Sequence, residues 1–147
     1  MNRRRGNRTL GLRQPRGATT VLVVTPNPYT WRVMKAKIYH NPRCSKSRAT
    51  LALLRERGVD VEIIDYIETP PSKDTLRALL RKLGGPALGM VRTEEQEFRP
   101  HAQRALTDEE VIDLLAREPR LLQRPIVELG GAARIGRPPE RVLELVE

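Results

Sequence analysis

The sequence predicts an α/β domain: a mixed sheet entered through a β-α-β unit and closed by a β-β-α unit, with a helical stretch between. Three observations predict it. Strand-like, helix-like and strand-like segments follow one another from residue 35 to residue 67. Two amphipathic helical segments come next, with no strand-like run between them. A Gly-Gly pair then joins two short β-compatible segments ahead of a last helical one.

The elements are justified in order. "KAKIY" (35–39) is short and β-compatible. "SKSRATLALLRERG" (45–58) predicts a helix in which Leu51 and Leu54 share a face and Gly58 supplies a stop. "VDVEIIDYI" (59–67) alternates Val59, Val61 and Ile63 with Asp60 and Glu62, the two-residue period of a strand. A strand, a helix and a strand this close together make a βαβ unit with parallel strands and a right-handed crossover. "ETPPS" breaks the chain. "SKDTLRALLRKLG" (72–84) then places Leu76, Leu79, Leu80 and Leu83 at helical spacing behind a Ser72 N-cap. Residues 85–106 predict only short helical turns. "TDEEVIDLLARE" (107–118) opens on a Thr107/Glu110 capping box, faces Val111, Leu114 and Leu115 inward, and stops at Pro119. "RPIVEL" (124–129) and "AARIG" (132–136) flank Gly130-Gly131 as a hairpin. "PPERVLELV" (138–146) closes the chain as a helix with Val142, Leu145 and Val146 inward. This order matches a thioredoxin-like sheet: two parallel strands joined to an antiparallel hairpin, with a helical insert between.

Composition narrows the function classes. A chain of 147 residues suits one domain with a real core. One cysteine excludes an internal disulfide framework, and His40 and His101 alone make a Cys/His metal cluster an unpromising reading. No apolar run approaches the ~20 residues of a membrane span. Residues 1–33 carry seven arginines and no acid, so they hold +7 of the net +9 and leave the remaining 114 residues at +2. The domain proper is close to neutral and predicts no nucleic-acid partner. Residues 1–33 read as a basic, disordered extension, with Met34 as the natural start. A transit peptide and a basic nucleic-acid arm are the alternatives.

The chemistry-bearing stretch is "YHNPRCSKSR" (39–48), which holds Cys44 in the predicted loop between the first strand and the first helix. A thiol at a helix N-terminus meets unpaired N–H groups and the positive end of the helix dipole, which favour a thiolate. Arg43, Lys46 and Arg48 add positive charge nearby. The alternative, a small buried hydrophobe, fits poorly between Pro-Arg and Ser-Lys. The same helix terminus, with Ser45 and Ser47, suits an oxyanion. Thiolate and oxyanion repel, so further cations are needed, and Arg92, Arg124 and Arg137 in predicted loops could supply them. Spacing alone does not choose these three. Position 50 is Thr, so the Cys-Arg spacing of a tyrosine-phosphatase loop is missing, and position 47 is Ser, so there is no C-x-x-C dithiol.

"IYHNPRCSKSRATL", "ETPPSKDTLRALLRKLG", "RPIV" and "GRPPERVLELV" together resemble the glutaredoxin-coupled arsenate reductases, the ArsC family, and especially its short single-domain members. The resemblance runs over about residues 36–146 and leaves residues 1–33 without a counterpart, so residues 34–147 form the ArsC-like domain. It implies a thioredoxin-like fold, a nucleophilic cysteine at Cys44, and oxyanion-binding arginines at Arg92, Arg124 and Arg137. It further implies that His40 and Ser47 poise the thiolate and that Pro125 is a structural cis-proline. The block around Arg92 departs from the family's Ala-Leu-Leu-Arg form, which makes Arg99 a rival.

One thiol supplies half of the electrons that arsenate reduction needs. The resemblance therefore implies glutathione as external reductant and glutaredoxin as partner, with no bound cofactor and no metal. A monomeric cytoplasmic protein is expected. Two other readings share the fold: a thiol oxidoreductase acting on another substrate, such as a glutathionylated protein, and a non-enzymatic regulator-like binding module. The missing C-x-x-C counts against the regulator.

Overall fold

The computed structural model describes residues 34–147. The expected extension over residues 1–33 lies outside the described residues. Seven regular elements appear: β1 (Lys35–His40), α1 (Ser45–Glu56), β2 (Asp60–Asp65), α2 (Lys73–Leu83), α3 (Asp108–Arg117), β3 (Ile126–Leu129) and β4 (Ala132–Ile135). Short 3-10 segments fall at Ala87–Met90, Gln96–His101, Pro119–Leu121 and Pro139–Leu145. The sheet order is β2-β1-β3-β4. β1 pairs parallel with β2 and antiparallel with β3, and β3 pairs antiparallel with β4. This is the thioredoxin-like arrangement, and the βαβ unit and the terminal hairpin account for all four strands.

Alternation along the strands sorts the core into two layers. On one face Ala36, Ile38 and Val127 pack with Leu51 and Leu54 of α1 and with Val142 of the last 3-10 segment. On the other face Tyr39, Ile126 and Ala133 pack with Leu76 and Leu79 of α2 and with Val111, Leu114 and Leu115 of α3. The caps follow their sequence signals. The Ser72 hydroxyl accepts the Thr75 N–H at 3.1 Å, and Thr107 and Glu110 form a reciprocal capping box at the head of α3.

Two expectations need correction. The closing segment is a 3-10 helix over Pro139–Leu145, not an α-helix over 138–146. Its two leading prolines and short length offer little i-to-i+4 bonding, and packing of Val142 against α1 holds it instead. The second strand spans Asp60–Asp65, shorter at both ends than 59–67. Val59 enters the core before the strand begins, and residues 66–68 form a turn in which the Asp65 carboxylate accepts the N–H groups of Ile67 and Glu68. β2 is an edge strand, and its Ile63 is 45% exposed. Helix α1 ends at Glu56, and Gly58 turns the chain with φ of 72°.

No helix among the described residues is long and apolar enough to cross a membrane.

Gly136 brings the end of the hairpin onto α1. A Cβ there would meet Thr50 Oγ1 at 2.6 Å and the Pro125 ring at 2.8 Å. Neither neighbour can yield cheaply: the Thr50 hydroxyl donates to the Lys46 carbonyl, and the proline ring is stiff. Gly136→Ala is expected to destabilise the fold by about 1–3 kcal/mol, as overpacking does. Urea denaturation of the variant checks it, and an unchanged midpoint would refute the close approach.

Candidate active site

The loop that carries Cys44 is built by local chemistry. Asn41-Pro42-Arg43-Cys44 forms a tight turn, closed by the Cys44 N–H donating to the Asn41 carbonyl at 3.0 Å. Pro42 presets the turn, and the Asn41 side-chain oxygen accepts the Arg43 N–H at 2.9 Å. Cys44 then stands as the N-cap of α1, with φ −89° and ψ 120°, and its carbonyl accepts the Arg48 N–H. The thiol thus lies where the first-turn N–H groups of α1 have no helical partner.

Opposing effects set its acidity. Partial burial works to raise the Cys44 pKa. The Ser47 N–H, the Arg124 guanidinium and the Lys46 N–H stabilise the thiolate and outweigh that effect, holding the pKa below the ordinary 9.0. Ser47 faces the sulfur with its backbone N–H. The Ser47 hydroxyl, fully buried, accepts the Asn41 N–H at 3.1 Å and bonds to His40 Nδ1 at 2.9 Å. Burial, aided by Arg55 and Arg48 and opposed by Asp65, lowers the His40 pKa below 6.5, so the imidazole is neutral at pH 7. His40 and the Ser47 hydroxyl therefore brace the loop from behind.

The arginines arrive from three directions. Arg124 immediately precedes the cis bond to Pro125 at the start of β3, and its guanidinium lies beside both Cys44 and Tyr66. Arg137, at the far end of the hairpin, precedes a second cis bond, to Pro138, which sequence reasoning did not anticipate. Arg92 is carried in by the helical insert. An isolated antiparallel bridge between Val91 and Leu122, with Arg92 N–H donating to Leu121 and Gln123 N–H to Met90, stitches the insert to the segment leading into Arg124. Arg99 is exposed on a 3-10 segment and lines neither cleft described below, whereas Arg92 lines both.

Two clefts meet at this corner. The larger, about 550 Å³, is lined by Asn41, Pro42 and Arg43 of the cysteine loop together with Tyr66, Arg92, Arg120 and Arg124. The smaller, about 220 Å³, is lined by Lys46, Arg92, Gln123 and Arg137. Arg92 belongs to both, and the residues flanking Cys44 divide between them. Arg92 is also ion-paired to Glu95, which lines the smaller cleft. Among the described residues three buried side-chain donors lack any hydrogen-bond partner: Arg124 Nε, Arg137 Nη1 and Tyr66 Oη. Buried donors left this way are costly; the Arg124 guanidinium lies beside the Cys44 thiol, and Arg137 lines the smaller cleft with Lys46 and Arg92. That arrangement can hold a tetrahedral oxyanion within reach of a sulfur nucleophile.

Tyr66, Arg120 and Gln123 were not singled out from sequence. Tyr66 follows directly on the C-terminal end of β2, the edge of a parallel pair where ligand sites collect, and that placement was the available signal.

A thioredoxin-like sheet with one acidic cysteine heading its first helix, and with guanidinium groups gathered round it, defines a single-thiol site of the thioredoxin-like class. Comparison with known proteins specifies it further: the ArsC family profile matches residues 39–145. The chain is 50% identical over 115 residues to the uncharacterized protein YfgD of Escherichia coli K12, covering 76% of this chain and 97% of that one. It is 42% identical over 109 residues to an arsenate reductase of Neisseria meningitidis, covering 72% and 93% respectively. Among solved structures it is similar to the arsenate reductase from Vibrio cholerae, with a TM-score of 0.74, 42% identity, and coverage of 77% of this chain and 98% of that one. The chain belongs to the ArsC family.

Removing the Arg124 charge tests the electrostatics of the thiol. Arg124→Gln is expected to raise the Cys44 pKa and slow its alkylation by iodoacetamide at neutral pH several-fold, with the midpoint of the rate-pH curve moving to higher pH. An unmoved midpoint would assign the acidity to the backbone N–H groups alone.

Proposed function

We propose that this protein is an arsenate reductase that uses Cys44 as its nucleophile, glutathione as the second thiol and glutaredoxin to restore the enzyme. The observation that supports this best is the pairing of an acidic thiol with buried, unpartnered guanidinium N–H groups of Arg124 and Arg137 at one corner. Such donors suit an anion with several oxygens, and the chain's one cysteine requires the other electron-donating thiol to come from outside.

Arsenate enters as an anion, so an approaching thiolate meets repulsion. The Arg92, Arg124 and Arg137 charges offset it, and planar guanidinium forks fit the oxyanion geometry. Cys44 attacks arsenic, an As–S bond forms, and one oxygen leaves as water. The external thiol then attacks the adduct. A disulfide forms between it and Cys44, the As–S bonding pair stays on arsenic, and arsenic(V) departs as arsenite, arsenic(III). Two thiols have given two electrons. Glutaredoxin takes the glutathione moiety from Cys44 by thiol–disulfide exchange and frees the thiolate. The neutral His40 and the Ser47 hydroxyl keep the cysteine loop in register while the sulfur passes through these states.

The full-length chain, with glutathione, glutaredoxin and a reductase recycling it, is expected to oxidise NADPH in an arsenate-dependent way. Cys44→Ser is expected to abolish that signal, because a serine hydroxyl is not ionised at this site at neutral pH. Full activity in Cys44→Ser would exclude the mechanism. Activity on mixed disulfides with no arsenate turnover would replace the substrate.

A further inference from the structure

Tyr66 is the one member of the buried, unpartnered donors that is neither charged nor assigned a task by the reading above. Its residue is 0% exposed, with the ring set in the same core cluster as Leu76, Leu79 and Leu121. Its hydroxyl lies beside the Arg124 guanidinium and makes no hydrogen bond of good geometry to any described residue. Yet Tyr66 lines the larger cleft, together with Arg92 and Arg124. A phenylalanine would fill the same core volume without burying an idle polar group. The backbone beside it is pinned by the Asp65 carboxylate, which accepts two successive N–H groups, so the ring cannot swing out easily. The hydroxyl lies next to the Arg124 guanidinium, which itself lies beside Cys44, and a rigid aromatic body with a polar tip held there is a preorganised donor.

We propose that the Tyr66 hydroxyl is a catalytic proton donor to the oxygen that leaves arsenic when Cys44 attacks. The proposal rests on the arsenate-reductase reading and adds the step that reading left open: the source of the proton on the leaving oxygen. As the As–S bond forms and one As–O bond breaks, the departing hydroxide takes the Tyr66 proton and leaves as water. The phenolate sits beside the Arg124 guanidinium, which offsets its charge. The incoming external thiol returns the proton to Tyr66 and becomes a thiolate. That thiolate attacks the Cys44 sulfur, and arsenic leaves with the As–S pair as arsenite. Tyr66 thus serves both halves of the reaction, as acid for the leaving oxygen and then as base for the second thiol, and ends each cycle protonated.

Tyr66→Phe removes only the oxygen. In full-length protein, steady-state kinetics with arsenate, glutathione and glutaredoxin are expected to show kcat lowered ~100-fold, the scale of general acid–base catalysis. KM for arsenate and the rate of Cys44 alkylation by iodoacetamide are expected to stay unchanged. The melting temperature is expected to be equal or higher, since an unpaired buried hydroxyl has been removed. An unchanged kcat in Tyr66→Phe beside an active wild type overturns the role of Tyr66 alone. A change confined to KM overturns it as well, as does a fall in kcat that tracks slower alkylation and a lower melting temperature. A wild-type chain inactive on arsenate overturns the functional reading and this step with it.

Discussion

The site depends on one buried hydroxyl. Ser47 sits in the first turn of α1, yet its side chain reaches back to His40 at the end of β1 and to the N–H of Asn41 where the cysteine loop begins. Those bonds fix the strand end, the turn and the helix start as one unit. The Cys44 sulfur can then rest against the Ser47 and Lys46 N–H groups. A polar side chain with no exposure is expensive unless its bonds are met, and here they are met by groups that would otherwise be orphaned themselves. A rigid loop lets a few backbone dipoles lower the pKa of a partly buried thiol, against the burial that would raise it.

Around that unit the fold delivers positive charge from separate stretches of chain. Arg124 and Arg137 flank the hairpin, one at each end, and close approach of Gly136 to Thr50 seats the second against α1. Arg92 comes from the insert, tied down by the Val91–Leu122 bridge. Among the described residues the sheet contributes one carboxylate, Asp65 at the end of β2, to the lining of the larger cleft and none of the arginines. It sets the spacing between loops, and the loops carry the chemistry. The chain has a single cysteine, and the proposed mechanism would bring a second thiol to it from outside; the larger cleft, about 550 Å³, has room for one.

Much of this is legible in the sequence, for identifiable reasons. Periodicity marks α2 and α3 because their apolar positions recur cleanly and their caps are spelled out by Ser72, Thr107 and Glu110. The Gly-Gly pair marks the hairpin. Cys44, as the chain's one cysteine behind an Asn-Pro turn, draws attention unaided. The ends of β2 are misread because Val59 and Ile67 extend its apolar run although neither pairs in the sheet, and alternation cannot tell an edge strand from an inner one. The last segment has a helical pattern, but pattern does not distinguish an α from a 3-10 helix. Arg92 is hard to place because a two-residue bridge far apart in sequence brings it in, and no local signal encodes such a contact. The Ser47 hydroxyl likewise turns to His40 for reasons visible only once strand and helix are packed.

The ion pair of Arg92 with Glu95 bears on what this corner would take. The protein pairs Arg92 with its own carboxylate, so on the proposed reading an arriving oxyanion would exchange for Glu95 there and would not meet a bare cation. Binding becomes a swap of one negative group for another. Monovalent anions, which can offer only a single charge for the trade, gain little by it, whereas an ion that spans several guanidinium groups at once gains at each. On that reading the ion pair would favour anions with many oxygens over the common salts.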